Sequence, residues 1–245
     1  MLDLHCHILY GVDDGAPDLD TAVEMARCLA GAGFRRVAAS PHLGMGPGGD
    51  VRPALAAERR EVLNARLQGE GISVQILPNA EHHVTPELFE RLKAGDVVPV
   101  GGQGRWLLVE LPWQAIPDPE TILFRVQLSG YRLLLAHPER YGYVDVGMIR
   151  RLVQRGVRMQ LELGSFVGAY GGRAQGRAEE LMHHNLGHVL ATDLHRPKQA
   201  EIWLAQALEV VRKRYGQAAL TRGTLGNPEA IVADAATDSV GALCD

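Results

Sequence analysis

Cysteine is scarce in this sequence, and the cysteines are far apart. Three occur among 245 residues, at Cys6, Cys28 and Cys244. They form neither a Cys-x-x-Cys pair nor the closely spaced even set of a disulfide framework, a usage typical of proteins in a reducing compartment. The sequence therefore excludes a small scaffold held together by disulfides.

The sequence also lacks an excess of positive charge and any long apolar run. Twenty-five basic residues against 29 acidic ones give a net charge of -4, which leaves no electrostatic footprint for duplex nucleic acid or an anionic membrane. The chain starts MLDLHCH, with acid and histidine where a secretory signal has basic residues and then an apolar stretch. No segment stays apolar for the roughly 18 residues of a membrane span. We therefore expect a cytoplasmic protein without membrane insertion or a nucleic-acid partner.

Short apolar runs that alternate with longer stretches of helical period are the main pattern present. The runs cover residues 2–5, 36–40, 73–77, 106–110, 132–136, 158–162 and 188–191. Helices are expected between and after them, at 19–30, 52–69, 86–94, 118–129, 146–156, 173–186 and 197–215, with Asp18 or Asp20 capping the first. This alternation predicts βα units around a parallel sheet. No Pro-rich or Ser-rich linker divides residues 1–245, and the loose glycine run at 44–50 fits one loop, so we expect a single α/β domain.

Each predicted strand stops at a residue that can bind a metal ion. The strand ends are His5-Cys6-His7, Pro41-His42, Asn79-Ala80-Glu81, Glu110, His137, Glu162 and Asp193-Leu194-His195. The carboxyl ends of the strands of a parallel barrel converge on one mouth, so these side chains should meet there. Imidazole and carboxylate ligands suit Mn, Fe(II) or Zn, and ions bridged by carboxylates activate water for hydrolysis.

These motifs carry a family resemblance over nearly the whole chain. HCHILYGVDDG, SPH, NAE, HPERY and ATDLH, in this order, resemble the polymerase-and-histidinol-phosphatase (PHP) superfamily. Within it, DDG followed by SPH, the HPERY segment and a late GNPEAIV resemble the bacterial metal-dependent protein-tyrosine phosphatases of capsule and exopolysaccharide export. The resemblance implies a distorted seven-stranded (β/α) barrel, similar to a TIM barrel, with three divalent transition-metal ions at its mouth.

The resemblance also implies which residues hold the ions. His5, His7, Glu81 and Asp193 would hold the first ion, and Glu81 would bridge to a second held by Glu110 and His137. Asp14, His42 and His195 would hold the third, with Asp13 as the alternative to Asp14 because the loop after His7 can slip by one position. Glu162 stands where relatives tend to have Asn, and its role stays open. His82 and His83 match no role and are expected to be exposed loop residues.

The function that follows is hydrolysis of phosphotyrosine by hydroxide that the metal ions activate. Glu81, Asp193 and Arg140 are the candidate catalytic residues, and Arg140 and Arg196 the candidate contacts to the substrate phosphate. A thiol mechanism needs Cys followed six positions later by Arg, but Cys6 and Cys28 are followed by Val12 and Phe34.

The resemblance implies the tail of a tyrosine kinase of polysaccharide export as the partner. The alternatives are a small-molecule phosphatase, such as a histidinol-phosphate phosphatase, a nuclease of the same superfamily, and a binding barrel that has lost turnover.

Overall fold

The computed structural model describes residues 1–43 and 51–244. The loop predicted at 44–50 lies outside this part of the chain. The strands are β1 (Leu2–Cys6), β2 (Arg36–Ala39), β3 (His42–Leu43), β4 (Gln75–Pro78), β5 (Glu81–His83), β6 (Trp106–Glu110), β7 (Arg132–Ala136), β8 (Arg158–Glu162) and β9 (Val189–Ala191). The α-helices are α1 (Leu19–Gly31), α2 (Pro53–Gly69), α3 (Pro86–Ala94), α4 (Pro119–Leu128), α5 (Val146–Gln154), α6 (Gly172–His183), α7 (Pro197–Gln199), α8 (Ala205–Thr221) and α9 (Asn227–Val232). Short 3₁₀-helices cover Pro138–Arg140, Leu163–Val167 and Thr237–Ser239, and the π-helical segments Ala200–Leu204 and Arg222–Gly226 join α7 to α8 and α8 to α9.

The strands pair in parallel around a barrel. One set runs in the order β1-β2-β4 and the other in the order β3-β5-β6-β7-β8-β9. Because β3 follows β2 and β5 follows β4 after two-residue interruptions, each pair is one strand of the barrel. Cys6 forms a parallel bridge with Leu194, and the Asp193 amide donates to the His5 carbonyl, which brings β1 beside the end of β9. The expected seven-stranded α/β barrel is thus confirmed.

Polar side chains fill the two interruptions. Pro41 has no amide hydrogen for a strand ladder. The Ser40 hydroxyl lies within hydrogen-bond distance of the carbonyls of Leu4 and Ala38, at 3.1 and 2.9 Å, and Asn79 Nδ2 donates to the Leu4 carbonyl at 3.0 Å. Pairing resumes after the breaks with His42 opposite Glu81. The interruptions therefore place two of the predicted ligands side by side.

Apolar side chains pack on both faces of the strands. Leu2, Leu4, Trp106, Leu108 and Leu134 belong to a cluster that fills the barrel below its mouth. Alternate residues of the same strands belong to a larger cluster that packs against the helices. This follows from the two-residue period of a strand, which sends successive side chains to opposite faces.

A bulge in β1 changes which face its residues present. Asp3 pairs with Val37 of β2, but the next pairing joins Cys6 to Ala39, so β1 contains one extra residue. Leu2 and Leu4 face the barrel interior by ordinary alternation, and the extra residue lets His5, directly after Leu4, also turn inward toward the mouth. The buried Asp3 carboxylate accepts hydrogen bonds from the His5 amide and from both the amide and hydroxyl of Thr192.

The segment after residue 222 closes the other end of the barrel, a closure that was not predicted from the sequence. Ile231 of α9 and the nearby Val240 are fully buried in the inner apolar cluster, and Trp106 Nε1 donates to the Ala235 carbonyl. The helix expected at 197–215 is longer and divided, and Gly216 has a φ of 89°, which interrupts α8. No helix in the described part of the chain is long and apolar enough to span a bilayer.

Candidate metal centre

The nine ligands predicted from the sequence meet at one mouth of the barrel. Within the described residues, the groups of side chains whose donor atoms lie close enough to share an ion are made up of these nine residues: His5, His7, Asp14, His42, Glu81, Glu110, His137, Asp193 and His195. They come from the ends of the strands and from the loop after β1. Most of them also line a cavity of about 190 Å³ together with Trp113 and Arg140.

Four of these residues surround one point. His5 Nε2 lies 3.2 Å from His7 Nε2, 3.4 Å from Glu81 Oε1 and 3.2 Å from Asp193 Oδ1. His7 Nε2 in turn lies 3.5 Å from Glu81 Oε2 and 3.3 Å from Asp193 Oδ1. Ligand atoms placed about 2.1 Å from one ion in a tetrahedron lie about 3.4 Å from one another. The spacing therefore fits a shared cation.

The other two predicted sets have similar spacing. His137 Nε2 lies 3.1 Å from Glu81 Oε1 and 3.7 Å from Glu110 Oε1. Asp14 Oδ1 lies 3.4 Å from Nε2 of both His42 and His195. Imidazole nitrogens with carboxylate oxygens are donors that Mn, Fe(II) and Zn accept. The residues present thus fit a cluster of divalent transition-metal ions.

The charges of the cluster support the same conclusion. Burial works to lower the pKa of His5, but the carboxylates of Glu81 and Asp193 raise it to about 9. Burial likewise opposes the charge of His42, yet Asp14 and Glu81 raise its pKa to about 10. The carboxylates are so crowded that the neighbouring histidines keep their protons, and these protons occupy positions where metal cations would fit. A divalent ion would displace those protons and neutralise the same carboxylates.

Neighbouring side chains orient the first two histidines. His5 Nδ1 donates to Gln160 Oε1 at 2.8 Å, and His7 Nδ1 donates to Asp13 Oδ2 at 2.8 Å. With Nδ1 as the donor, Nε2 would offer its lone pair to an ion that displaces its proton. Sequence reasoning missed Gln160, because a glutamine within a strand carries no signal of this role.

The structure distinguishes the neighbours Asp13 and Asp14. Asp13 accepts from His7 Nδ1 and from the Gly15 amide, so its carboxylate faces away from the point that His42 and His195 share. Asp14 Oδ1 lies beside those two histidines. The geometry thus favours Asp14 as the ligand and gives Asp13 the task of holding His7.

Two of the predicted ligands have left-handed backbone conformations. His137 has a φ of 35° directly after β7, and Asp193 has a φ of 49° after β9. Residues other than glycine rarely adopt these angles, and such strain clusters at functional sites. Here it turns both side chains into the mouth at the point where the strand ends.

Arg140 lies at the edge of the same cavity. Its Nη1 donates to Glu162 Oε1 at 2.8 Å and to Asp193 Oδ2 at 3.1 Å. Its guanidinium carbon lies 4.7 Å from the ring centre of Trp113 and 4.4 Å from that of Tyr170. Both hydrogen bonds to described residues use Nη1, so Nη2 and Nε are available to a bound anion.

The two carboxylates that share Arg140 differ in their preference for a proton. Burial and the neighbouring Asp193 raise the pKa of Glu162 well above its usual range. Burial acts on Asp193 in the same direction, but His5 and His7 hold the pKa of Asp193 well below its usual range. Asp193 is therefore the more strongly anionic partner of Arg140.

Arg196 does not line the cavity, and its Nη1 donates to the carbonyls of Asp14 and Gly15, so it holds the loop after β1. Its expected contact to phosphate stays a prediction. Two other predictions differ from the structure. His82 and His83 were expected to be exposed, and this was wrong because β5 continues the strand past its interruption. His82 is buried, and its Nδ1 donates to the Leu108 carbonyl. His83 Nδ1 donates to Glu110 Oε2 at 2.6 Å.

The chain matches a family and several known proteins. Residues 1–233 match the model of the family described as "Capsular polysaccharide synthesis, CpsB/CapC". The chain is 32% identical to the tyrosine-protein phosphatase YwqE of Bacillus subtilis strain 168 over 88% of this chain and 85% of that protein.

Solved structures of phosphatases are also similar to this chain. A chain from the crystal structures of YwqE from B. subtilis and CpsB from Streptococcus pneumoniae, described as metal-dependent tyrosine phosphatases, superposes with a TM-score of 0.86 at 30% identity, covering 96% of this chain and 95% of that one. A histidinol phosphate phosphatase from Lactococcus lactis superposes with a TM-score of 0.54 at 14% identity over 86% of this chain and 92% of that one, a likeness of fold alone.

Proposed function

Because this chain belongs to the CpsB/CapC family of capsular polysaccharide synthesis proteins, we propose that it is a metal-dependent protein-tyrosine phosphatase. One observation carries the proposal: eight of the nine side chains of the candidate centre line a cavity of about 190 Å³ that Arg140 also lines. A site of this kind combines cations with a fixed donor for an anionic substrate. YwqE and CpsB are tyrosine phosphatases, and the same chemistry is proposed here.

We propose three ions per chain. The first would lie among His5, His7, Glu81 and Asp193, the second would add Glu110 and His137 to Glu81, and the third would lie among Asp14, His42 and His195. Mn, Fe(II) and Zn are the candidates that the mixed nitrogen and oxygen donors favour. When bound, such ions supply Lewis acidity to phosphoryl oxygens and lower the pKa of water.

The chain's own residues position the substrate. Arg140 is held by Asp193 and Glu162 and keeps Nη2 and Nε for the phosphoryl oxygens, which a guanidinium can grip with two parallel hydrogen bonds. Glu81 belongs to the first two predicted sets, and it lies within 3.5 Å of nitrogens of His5, His7, His42 and His137, so it contacts a histidine of all three sets. Glu81 and Asp193 are therefore counted with Arg140 as the catalytic residues.

The leaving group suits this site. A tyrosine leaves as a phenol with a pKa of about 10, so it needs less help from an acid than an alkyl alcohol does. The proposed substrate is a phosphotyrosine protein, the tail of a kinase of polysaccharide export, in the cytoplasm. The net charge of -4 speaks against a nuclease.

Turnover of three substrates tests the proposal. Purified protein is loaded with Mn²⁺ and compared on a phosphotyrosine peptide, histidinol phosphate and single-stranded DNA, and elemental analysis counts the ions. We expect the highest kcat/KM on the peptide, loss of activity with a chelator, and recovery with Mn²⁺, Fe²⁺, Co²⁺ or Zn²⁺. Full activity in protein that elemental analysis shows to be free of metal would refute the proposal. Faster turnover of histidinol phosphate would replace it with the small-molecule alternative.

A further inference from the structure

A second cavity adjoins the metal centre on the far side of Arg140. It measures about 300 Å³ and is lined by Trp113, Glu139, Arg140, Tyr170, Arg173 and Ala174. Trp113 and Arg140 line both cavities. A substrate held at the metal centre would therefore extend directly into this flanking cavity.

Arg173 is the cation of the flanking cavity that lacks an anionic partner. Arg140 is paired with Glu162 and Asp193, whereas Arg173 is exposed and has no hydrogen bond or ion pair to any residue in the described ranges. Its guanidinium reaches the loop after Arg140, where Gly142 leaves room for it: a Cβ at Gly142 would lie 2.5 Å from Arg173 Nη2. The charge thus lies beside the cavity without being neutralised by a described carboxylate.

The position of Arg173 in its helix gives no structural reason for the charge. It is the second residue of α6, whose first turn contains no acidic residue. A cation near the amino end of a helix is unfavourable, because the helix dipole is positive there. An anion supplied by a ligand would remove this conflict.

The other groups that line the flanking cavity suit a peptide rather than a free ion. Trp113 is 48% exposed. Tyr170 forms the opposite aromatic wall across Arg140. Glu139 is the acidic residue of the lining, and it is buried, with Oε1 accepting from the Glu162 amide and the Ser165 hydroxyl. With Arg140 assigned to the phosphoryl oxygens, Arg173 is therefore the charge that the rest of a bound peptide would meet.

We propose that the flanking cavity binds an acidic residue next to the phosphotyrosine of the protein substrate, with Arg173 as the recognising group and Trp113 and Tyr170 as aromatic walls. This inference rests on the proposed phosphatase function and adds a substrate preference to it. The ion pair is exposed to solvent, so its effect is modest, about two- to fivefold in kcat/KM. It should shrink as salt is added.

Paired peptides test the preference. Two phosphotyrosine peptides differ only in having Glu or Gln on either side of the phosphotyrosine, and a third has Lys there. Metal-loaded wild type should prefer the Glu peptide about two- to fivefold over the Gln peptide, mainly through a lower KM. Arg173→Ala should bring that ratio close to one, and Arg173→Glu should favour the Lys peptide. The ratio cancels any change that a variant causes at the metal centre.

Arg150→Glu is the matched control, because Arg150 is an exposed arginine of α5 that lines neither cavity. It should keep the wild-type ratio. A wild-type ratio of one, or the same ratio in Arg173→Glu as in wild type, overturns the inference while the phosphatase function stands. No turnover of any phosphotyrosine peptide by the metal-loaded protein overturns the function itself.

Discussion

Arg140 has two possible tasks, and a double-mutant cycle with Glu162 separates them. It either stabilises the charge of the transferring phosphoryl group or compensates the buried carboxylates of Glu162 and Asp193, which its Nη1 contacts at 2.8 and 3.1 Å. The cycle consists of Arg140→Met, Glu162→Gln and the double variant. Met removes the charge and keeps much of the side-chain length, and Gln removes the charge of Glu162 with little change in shape.

The stability of these variants follows from burial. The side chain of Arg140 is 23% exposed and that of Glu162 is 0% exposed. Removing one partner of a buried pair costs about 3–5 kcal/mol. For a domain of this size, about 2–4 °C of Tm per kcal/mol turns this into a fall of roughly 6–20 °C for Arg140→Met. The double variant should recover only part of that Tm, because the charge of Glu162 is gone but the buried Asp193 carboxylate stays without its arginine.

Activity should not recover with stability if Arg140 acts on the phosphoryl group. Loss of one such donor lowers kcat by about 10²–10³. We expect this loss in Arg140→Met and again in the double variant, measured with p-nitrophenyl phosphate at equal metal content. Glu162→Gln should keep kcat within about tenfold of wild type. Recovery of kcat in the double variant would refute the assignment, since compensation of Glu162 would then explain the whole effect.

Three further predictions concern the thiols, the protons of the centre and acid stability. Cys6→Ser and Cys28→Ser should each keep most of the wild-type kcat. Burial raises the pKa of the Cys6 thiol well above its usual range, which keeps this thiol from being a nucleophile. Loss of turnover with the metal content intact would point to thiol catalysis. Metal binding to the apoprotein at pH 7 should release at least one proton per chain, because His5 and His42 have pKa values of about 9 and 10 without ions. Metal affinity should therefore rise with pH. Calorimetry in buffers of different ionisation enthalpy measures the number of protons released, and a value of zero contradicts the prediction. Burial and Arg158 lower the pKa of His188 to about 3, against about 6.5 in the unfolded chain, so the free energy of unfolding should fall by about 2 kcal/mol between pH 7 and pH 5 through this group alone. Urea unfolding at both pH values should show a fall smaller by that amount in His188→Asn, and an equal fall would contradict the assignment.

The barrel could be predicted because each strand has a strong local signal. β6, β7 and β8 begin and end at the residues expected from their apolar runs. β2 and β4 are each followed by a second piece after an interruption, and these pieces were not predicted. Their pairing depends on Ser40 and Asn79, whose hydrogen bonds reach Leu4 of another strand, and no local pattern reports such contacts.

The side chains that meet at the mouth could be predicted for a similar reason. Parallel strands bring their carboxyl ends together, so polar residues at those ends meet whatever the details of packing. The residues that orient those side chains could not be predicted from the sequence. Gln160 orients His5 from a strand that is 155 positions away in the chain. Asp3 stabilises a bulge that exists only because β1 pairs with β2. The closure by α9 was missed because a six-residue helix has too short a pattern.

The contact between β1 and β9 gives the metal ions a further consequence. In the described chain the end of β1 meets the segment after β9 through a single bridge, Cys6 with Leu194, whereas β6 and β7 pair at four positions. An ion held by His5 on one side and Asp193 on the other would act as a cross-link between the two ends of the chain, 188 positions apart. Because such an ion would bind the folded chain and leave the unfolded one, it would stabilise this join by an amount that grows with the free ion concentration relative to its Kd, about 2.7 kcal/mol at a hundredfold excess. Metal starvation would therefore weaken the join between the first and last strands, and separated strand edges are the surfaces through which chains aggregate.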